Sequence, residues 1–326
     1  MRFTVAALVA TLASASPTKL LSTRNEIARR QAAEPAPYGY ATLNGGTTGG
    51  AAGSTVTVSD LASLKKAAES AGPLTIIVSG SISGSDKIRV ASDKTIFGES
   101  GSSISGVGFY IRRVSNVIMR NLKIAKVDAD NGDAVGIDKS TNVWIDHLDL
   151  SGDLSAKKDD LDGLLDITHA ADYVTVSNTY LHDHWKGSLI GHSDSNKNED
   201  TGHLRITYAN NHWKNINSRA PSIRFGTLHI VNNYYDGLIS TGVNTRMGAQ
   251  VLVQSSAFAN CPEKAIFFAD SDSTGYVVLD DVNLGGSENS APEGKLTPSS
   301  LPYPAIKVLG SANVASSIPR TAGQTL

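Results

Sequence analysis

From Val117 onward, apolar and polar positions recur in one eight-residue template: apolar, any, apolar, any, small polar, any, any, apolar. Seven segments fit it: Val117–Ile124, Val143–Leu150, Val174–Leu181, Ile206–Trp213, Leu228–Tyr235, Val251–Phe258 and Val277–Leu284. Their first residues lie 26, 31, 32, 22, 23 and 26 positions apart, and the fifth column reads Asn121, His147, Asn178, Asn210, Asn232, Ser255 and Asp281. A repeat of roughly 20–50 residues marks a repeat architecture. Two alternating apolar residues pointing inward, a polar residue at the turn and a third apolar residue opening the next wall predict an all-β, single-stranded parallel β-helix. Stacked Asn side chains at the turn would bond to one another and to the backbone. A sandwich or barrel is the alternative, but its strands recur every 8–12 residues or so. Ile76–Val78 and Thr95–Phe97 read as earlier, looser rungs. One short N-terminal helix is predicted, capped by Ser59, with Leu61, Leu64 and Ala68 on one stripe and Gly72-Pro73 as its stop. The longest intervals place loop insertions after the second and third rungs, where binding residues concentrate.

The ends of the chain read differently. Residues 1–16 have a positive start at Arg2, an apolar run from Phe3 to Leu12 and a small-residue Ala13-Ser14-Ala15, the pattern of a secretory signal. Residues 17–37 are expected to be a propeptide or flexible arm, with Arg29-Arg30 as a dibasic processing candidate, and residues 38–326 to form the β-helix domain. Residues after Gly286 are expected to pack as an irregular tail. The apolar run is too short to span a bilayer, which takes about 20 residues, so a secreted, extracellular monomer with no membrane partner is expected. With 29 basic and 31 acidic residues the formal charge is −2, and no nucleic-acid partner is expected. The single Cys261 rules out an intramolecular disulfide and is expected to be buried and inert.

Two groups of residues carry candidate chemistry. Asp133 precedes the second rung, and the insertion after that rung holds Asp153, Asp159, Asp160, Asp162 and Asp166. Carboxylates from neighbouring rungs suit Ca²⁺, which takes six to eight oxygen ligands; a solvated acidic loop is the alternative. Asp162 and Asp166 would lie about 13 Å apart on an extended strand, so sharing an ion requires a turn near Gly163. Lys186 follows the third rung, and Arg219 and Arg224 follow the fourth; each alone reads as a surface cation or ion-pair partner. Together the groups would line a groove with a metal ion on one side and cations on the other, suited to an anionic substrate. A zinc site at His182, His184, His192 and His203 is disfavoured by the absence of an accompanying zinc motif, and His147 reads as structural. No Gly-x-Ser-x-Gly elbow or phosphate-binding loop is present.

The segments NGGTTGG, VWIDH, DGLLDIT, HDHWK, LIGHSDSN and RAPSIRFG, in that order over roughly residues 38–285, make the chain resemble the pectate lyases of polysaccharide lyase family 1. The resemblance implies a right-handed parallel β-helix and cleavage of de-esterified polygalacturonate by β-elimination with Ca²⁺. It assigns Asp133, Asp162 and Asp166 to the ion, Arg219 to proton abstraction, and Lys186 and Arg224 to holding the uronate. Asn131 stands where some members carry another acid, which leaves the number of ions open. Arginine's pKa above about 12 makes it an unusual base; neighbouring cations would have to disfavour its charged form, and an alkaline optimum is expected. The alternatives are a pectin lyase acting on methyl-esterified chains, a hydrolase using Asp162 and Asp166, and a non-catalytic β-solenoid that binds polysaccharide.

Overall fold

The computed structural model describes residues 26–326; the signal-like segment 1–16 lies outside the described residues. The chain winds about ten turns of a right-handed, all-parallel β-helix. Its first sheet stacks strands from Ser54–Val58 through Ser115–Arg120, Thr141–Asp146, Asp172–Ser177 and Arg205–Ala209 to Tyr276–Asn283. The second runs through Asp149–Ser151, Tyr180–Lys186 and His212–Ser218. The third runs through Val135–Asp138, Leu165–Thr168, Leu189–Ile190, Ser222–Arg224, Val243–Arg246 and Lys264–Phe267.

All seven fifth-column residues adopt the left-handed conformation, with φ between 45° (Ser255) and 58° (Asn210). That is the bend between the first and second sheets. Asn and Asp tolerate it best because a short polar side chain can bond locally, and His147 and Ser255 take the same geometry. The expected ladder of Asn–Asn bonds is mostly absent among the described residues. Asn232 Nδ2 donates to Asn210 Oδ1 at 2.9 Å, but Asn121 donates to the Gly98 carbonyl and Asn178 to Asp146.

Alternation explains the core. In Val143-Trp144-Ile145 the outer pair points inward to the continuous core and Trp144 points out. Trp213, Tyr235 and Phe258 stack along the interior, with centroids 5.8 and 4.2 Å apart. The outward apolar residues Ile77 and Phe97 are covered by Ala28 and Ala32, and Ile118 and Trp144 by Ala36 and Ala41. The described part of the segment read as an arm, 26–37, is therefore packed on the first sheet. Buried Arg120 anchors it, donating to the Gln31 carbonyl and Glu34 while pairing with Asp146 at 2.6 Å.

The predicted helix spans Leu61–Ala68, but its cap is Asp60, whose carboxylate accepts from Ser63 N at 2.9 Å, and not Ser59. After Gly286 the two-residue strand Glu288–Asn289 pairs with Lys264–Phe267, and the chain then runs irregularly to a short helix, Ser311–Ser317. Val314 in it and Ile318 just after it cover the outward Tyr180 and Tyr234 of the second sheet. Cys261 is free and half-buried, and burial raises its thiol pKa.

Candidate active site

Successive coils stack at the corner between the second and third sheets. Ala134 N donates to the Gly163 carbonyl, Leu164 N to that of Lys186, Gly187 N to that of Ser218, and Ala220 N to that of Gly242. Neighbouring strands lie about 4.8 Å apart, so this backbone ladder sets Asp133, Asp162, Lys186 and Arg219 in adjacent layers of one edge. Residues distant in sequence are brought together here because each occupies the same place in its coil.

Gly163 is the pivot of the acidic half. Its N–H donates to Asp133 Oδ1 at 2.8 Å. A Cβ at Gly163 would lie 2.6 Å from Asp166 Oδ1 and 2.8 Å from Asp133 Oδ1, so both carboxylates close on one point. Asp166 is buried and accepts from Leu189 N at 2.8 Å. Burial pushes its carboxyl up to about 6, against the opposing pull of the Arg219 charge. Burial and the charges of Asp166 and Asp162 hold Asp133 well above the usual carboxylate range. The turn expected near Gly163 is present, yet Asp162 does not complete a cluster. Half-exposed, it faces Lys186 Nζ at 3.4 Å. No group of three acidic, His or Cys side chains is preformed at ligating distance among the described residues.

Between the ordinary Asp value of about 3.9 and about 6 the folded chain keeps a proton on Asp166 that the unfolded chain has lost. Stability contributed by the protonated form is complete below that window and falls as pH rises through it. With divalent cations removed, the thermal midpoint should drop by a few degrees across this range. Asp166→Asn should flatten the drop, as measured by calorimetry at stepped pH.

The cations come from the next two coils. Lys186 is buried, with Nζ 3.2 Å from Asp159 Oδ1. Its own N–H donates to His184 Nδ1 at 2.9 Å, and burial together with the Lys186 charge lowers that imidazole to about 4. His182 bonds Asp149 and Asp183, and His147 bonds Asp146. Both are held by carboxylates, and no zinc cluster forms among the described residues. The insertion loop is held by Trp185 Nε1 on the Ala156 carbonyl at 2.9 Å and by Ala129 N on that of Asp160 at 3.0 Å. Asn131 is turned to Ser85 and the Gly106 carbonyl.

Arg219 has a left-handed backbone, φ 60°, and reaches back over the corner so that Nη1 lies 4.0 Å from Asp166 Oδ2. Its carbonyl accepts from Ser188 N at 2.7 Å. Gly187 is required beneath it, since a Cβ there would come within 2.6 Å of that carbonyl oxygen. Arg224 pairs with Asp194 and donates from Nη1 to the Gly191 carbonyl at 3.0 Å.

Arg219 and Arg224 line an open polar cleft of about 390 Å³ with Lys158, Asn217, Asn244 and Arg246. Sequence reasoning missed Arg246. Strand register sets it beside Arg224 one coil later, so the repeat interval applied to Arg224 was the available signal. Burial and the Arg224 charge pull its guanidinium down to about 10, and its buried Nε has no acceptor among the described residues. The arrangement thus sets two carboxylates that resist ionisation against a row of cations. Such a site can take a divalent cation and an acidic chain at once.

Comparison with known proteins identifies the family. The pectate lyase family model matches residues 1–325. Over the full length of both chains the protein is 76% identical to a probable pectate lyase B of Aspergillus flavus and 74% identical to pectate lyase plyB of Emericella nidulans. Among solved structures it is similar to a Bacillus pectate lyase in complex with trigalacturonate, with a TM-score of 0.80 and 31% identity over 88% of this chain and 98% of that one. A Xanthomonas campestris pectate lyase matches with a TM-score of 0.76 and 27% identity over 89% and 98%. With the family model running almost from end to end, and relatives alike along their whole length, the chain belongs to the pectate lyases, which are polysaccharide lyases.

Proposed function

We propose that the protein cleaves de-esterified (1→4)-α-D-galacturonan by calcium-dependent β-elimination, with Arg219 as the base. The observation that carries this is the approach of Arg219 to Asp166, Nη1 to Oδ2, at 4.0 Å across the corner. It sets the Arg219 guanidinium beside the acidic pair, where a bound cation would offset the carboxylate charge that otherwise favours its protonated form.

The donor set suits a hard cation. Asp133 and Asp166 present oxygen atoms converging on one point, and their mutual repulsion and burial disfavour two bare charges. These two, with Asp162 beside them, would hold Ca²⁺. When bound, the ion supplies charge neutralisation at the acidic pair and at an adjacent substrate carboxylate.

The chain's own residues supply the rest. Lys186 and Arg224 hold the uronate carboxylate and offset the negative charge that builds on it as the C5 proton leaves. Arg219 accepts that proton. The C5–H electron pair forms the C4–C5 double bond, the C4–O bond breaks, and the leaving oxygen takes a proton from solvent. A base works best near its own pKa, so the rate should climb into the alkaline range.

Export by the 1–16 leader would deliver the enzyme to pectate in the plant cell wall. Among the described residues no helix is long and apolar enough to cross a membrane.

Gly163→Ala tests the acidic pivot. Its backbone is outside the left-handed region, so alanine tests space alone. The new Cβ should push the two carboxylates apart and weaken Ca²⁺ binding at least tenfold in a calorimetric titration, with the thermal midpoint in chelator changed by only a few degrees. The function itself is tested by product chemistry. Incubation with polygalacturonate should yield oligomers absorbing in the ultraviolet through the C4–C5 double bond, at a rate well above that on highly methylated pectin. Reducing ends without the chromophore would mean hydrolysis, no product would mean a binding module, and faster cleavage of methylated chains would mean a pectin lyase.

A further inference from the structure

Arg224 lines the cleft, yet it already has an internal carboxylate partner. Asp194 accepts from its Nε, and the Gly191 carbonyl accepts from Nη1 at 3.0 Å, while no protein acceptor meets Nη2 among the described residues. Asp194 is itself held. Its second oxygen accepts from the Ser271 hydroxyl and from Asp272 N at 2.9 Å, which ties it to the loop that follows Lys264–Phe267. Burial alone would raise the Asp194 carboxyl, but these donors and Arg224 outweigh it and hold it at about 2, fully ionised wherever a lyase would work. Gly191, at φ 80°, brings the chain close below: a Cβ there would lie 3.0 Å from Arg224 Cβ.

These contacts take the Nε donor and an Nη1 donor and leave Nη2 without a protein partner among the described residues. A surface arginine must give up rotamer freedom to bind an anion, whereas one clamped at Nε and Nη1 has given it up on folding.

We propose that Asp194 is a positioning residue, holding the Arg224 guanidinium at the angle at which its uncommitted Nη2 receives a uronate carboxylate. This rests on the reading of Arg224 as a uronate-holding cation. The rival role is loop support, in which Asp194 merely joins residues 191–196 to residues 270–273.

A double-mutant cycle separates the two. KM and kcat on polygalacturonate are measured for the wild type, Asp194→Ala, Arg224→Ala and the double variant, with Asp194→Asn as the conservative rescue. Misplacement by about 1 Å can cost up to about 10²-fold. Asp194→Ala is expected to raise KM about tenfold with kcat changed less than threefold. The effect should vanish in the Arg224→Ala background, and Asp194→Asn, which keeps an acceptor for Nε, should stay within threefold of wild type. A KM within twofold of wild type for Asp194→Ala, or an equal loss with and without Arg224, overturns the proposal. Should Asp194→Ala not fold, Ser271→Ala takes its place in the cycle. A rise in KM that disappears without Arg224 supports the proposal, and no rise or an additive one overturns it. Unsaturated product from the wild-type protein keeps the wider functional reading standing whichever way the cycle falls.

Discussion

Arg219→Ala is expected to lower kcat on polygalacturonate by about 10³-fold or more, within and toward the upper part of the range for losing a general base. KM should change less than fivefold, because Lys186 and Arg224 stay in place to hold the uronate. Arg219→Lys keeps a cation but loses the planar fork that spans the corner toward Asp166, and should recover little of the rate. Because the base acts in its deprotonated form, kcat for the wild type should rise about tenfold per pH unit along the acid limb. Steady-state rates of double-bond formation over a pH series provide both readings. A variant within tenfold of wild type, or a wild-type optimum at acid pH, would remove Arg219 from the role.

Asp133→Asn and Asp166→Asn should move two measurements in opposite directions. Each asparagine keeps an oxygen for the N–H of Gly163 or Leu189 but drops a charge from a site where burial and repulsion already oppose it. Ca²⁺ affinity should fall about 100-fold or more, as read by calorimetric titration. In chelator at neutral pH the variants should unfold at a higher temperature than wild type, because the ionised pair costs stability until a cation occupies it. A functional cluster held against its own electrostatics is expected to trade stability in this way. Unchanged affinity, or variants less stable than wild type in chelator, would mean that the pair is structural.

The repeat was legible because it follows from one steric requirement applied once per coil. A left-handed residue must turn the chain, and two inward apolar positions must precede it, so column and period appear together; all seven positions adopt that conformation. The two insertions were legible as breaks in the period, and Asp133, Asp162, Asp166, Lys186, Arg219 and Arg224 fall on or beside the corner between the second and third sheets.

Less legible was whatever depends on which way a side chain turns once the coil is built. Asp162 and Asp166 are the same residue type four positions apart, yet the Gly163 corner buries one beneath Leu189 and leaves the other facing Lys186. Asp60 rather than Ser59 caps the helix because its carboxylate reaches Ser63 N; neighbouring residues with equal propensity are separated only by backbone direction. The docking of 26–37 was hidden because the outward residues it covers, Ile77, Phe97, Ile118 and Trp144, look in sequence like ordinary strand positions. Arg246 and Asp194 act through pairings across coils, Arg224 with Arg246 in register and Arg224 with Asp194 through Nε, and a single rung gives no sign of either.

The most direct test of the account removes the cation and returns it. The protein is stripped with a chelator, desalted and mixed with polygalacturonate, and the initial rate of ultraviolet absorbance from the C4–C5 double bond is followed as CaCl₂ is added. The rate is expected to lie near background in the stripped protein and to return to at least nine-tenths of its starting value with Ca²⁺, with Asp166→Asn remaining near background throughout. Full double-bond formation by the stripped protein in the continued presence of chelator would contradict it.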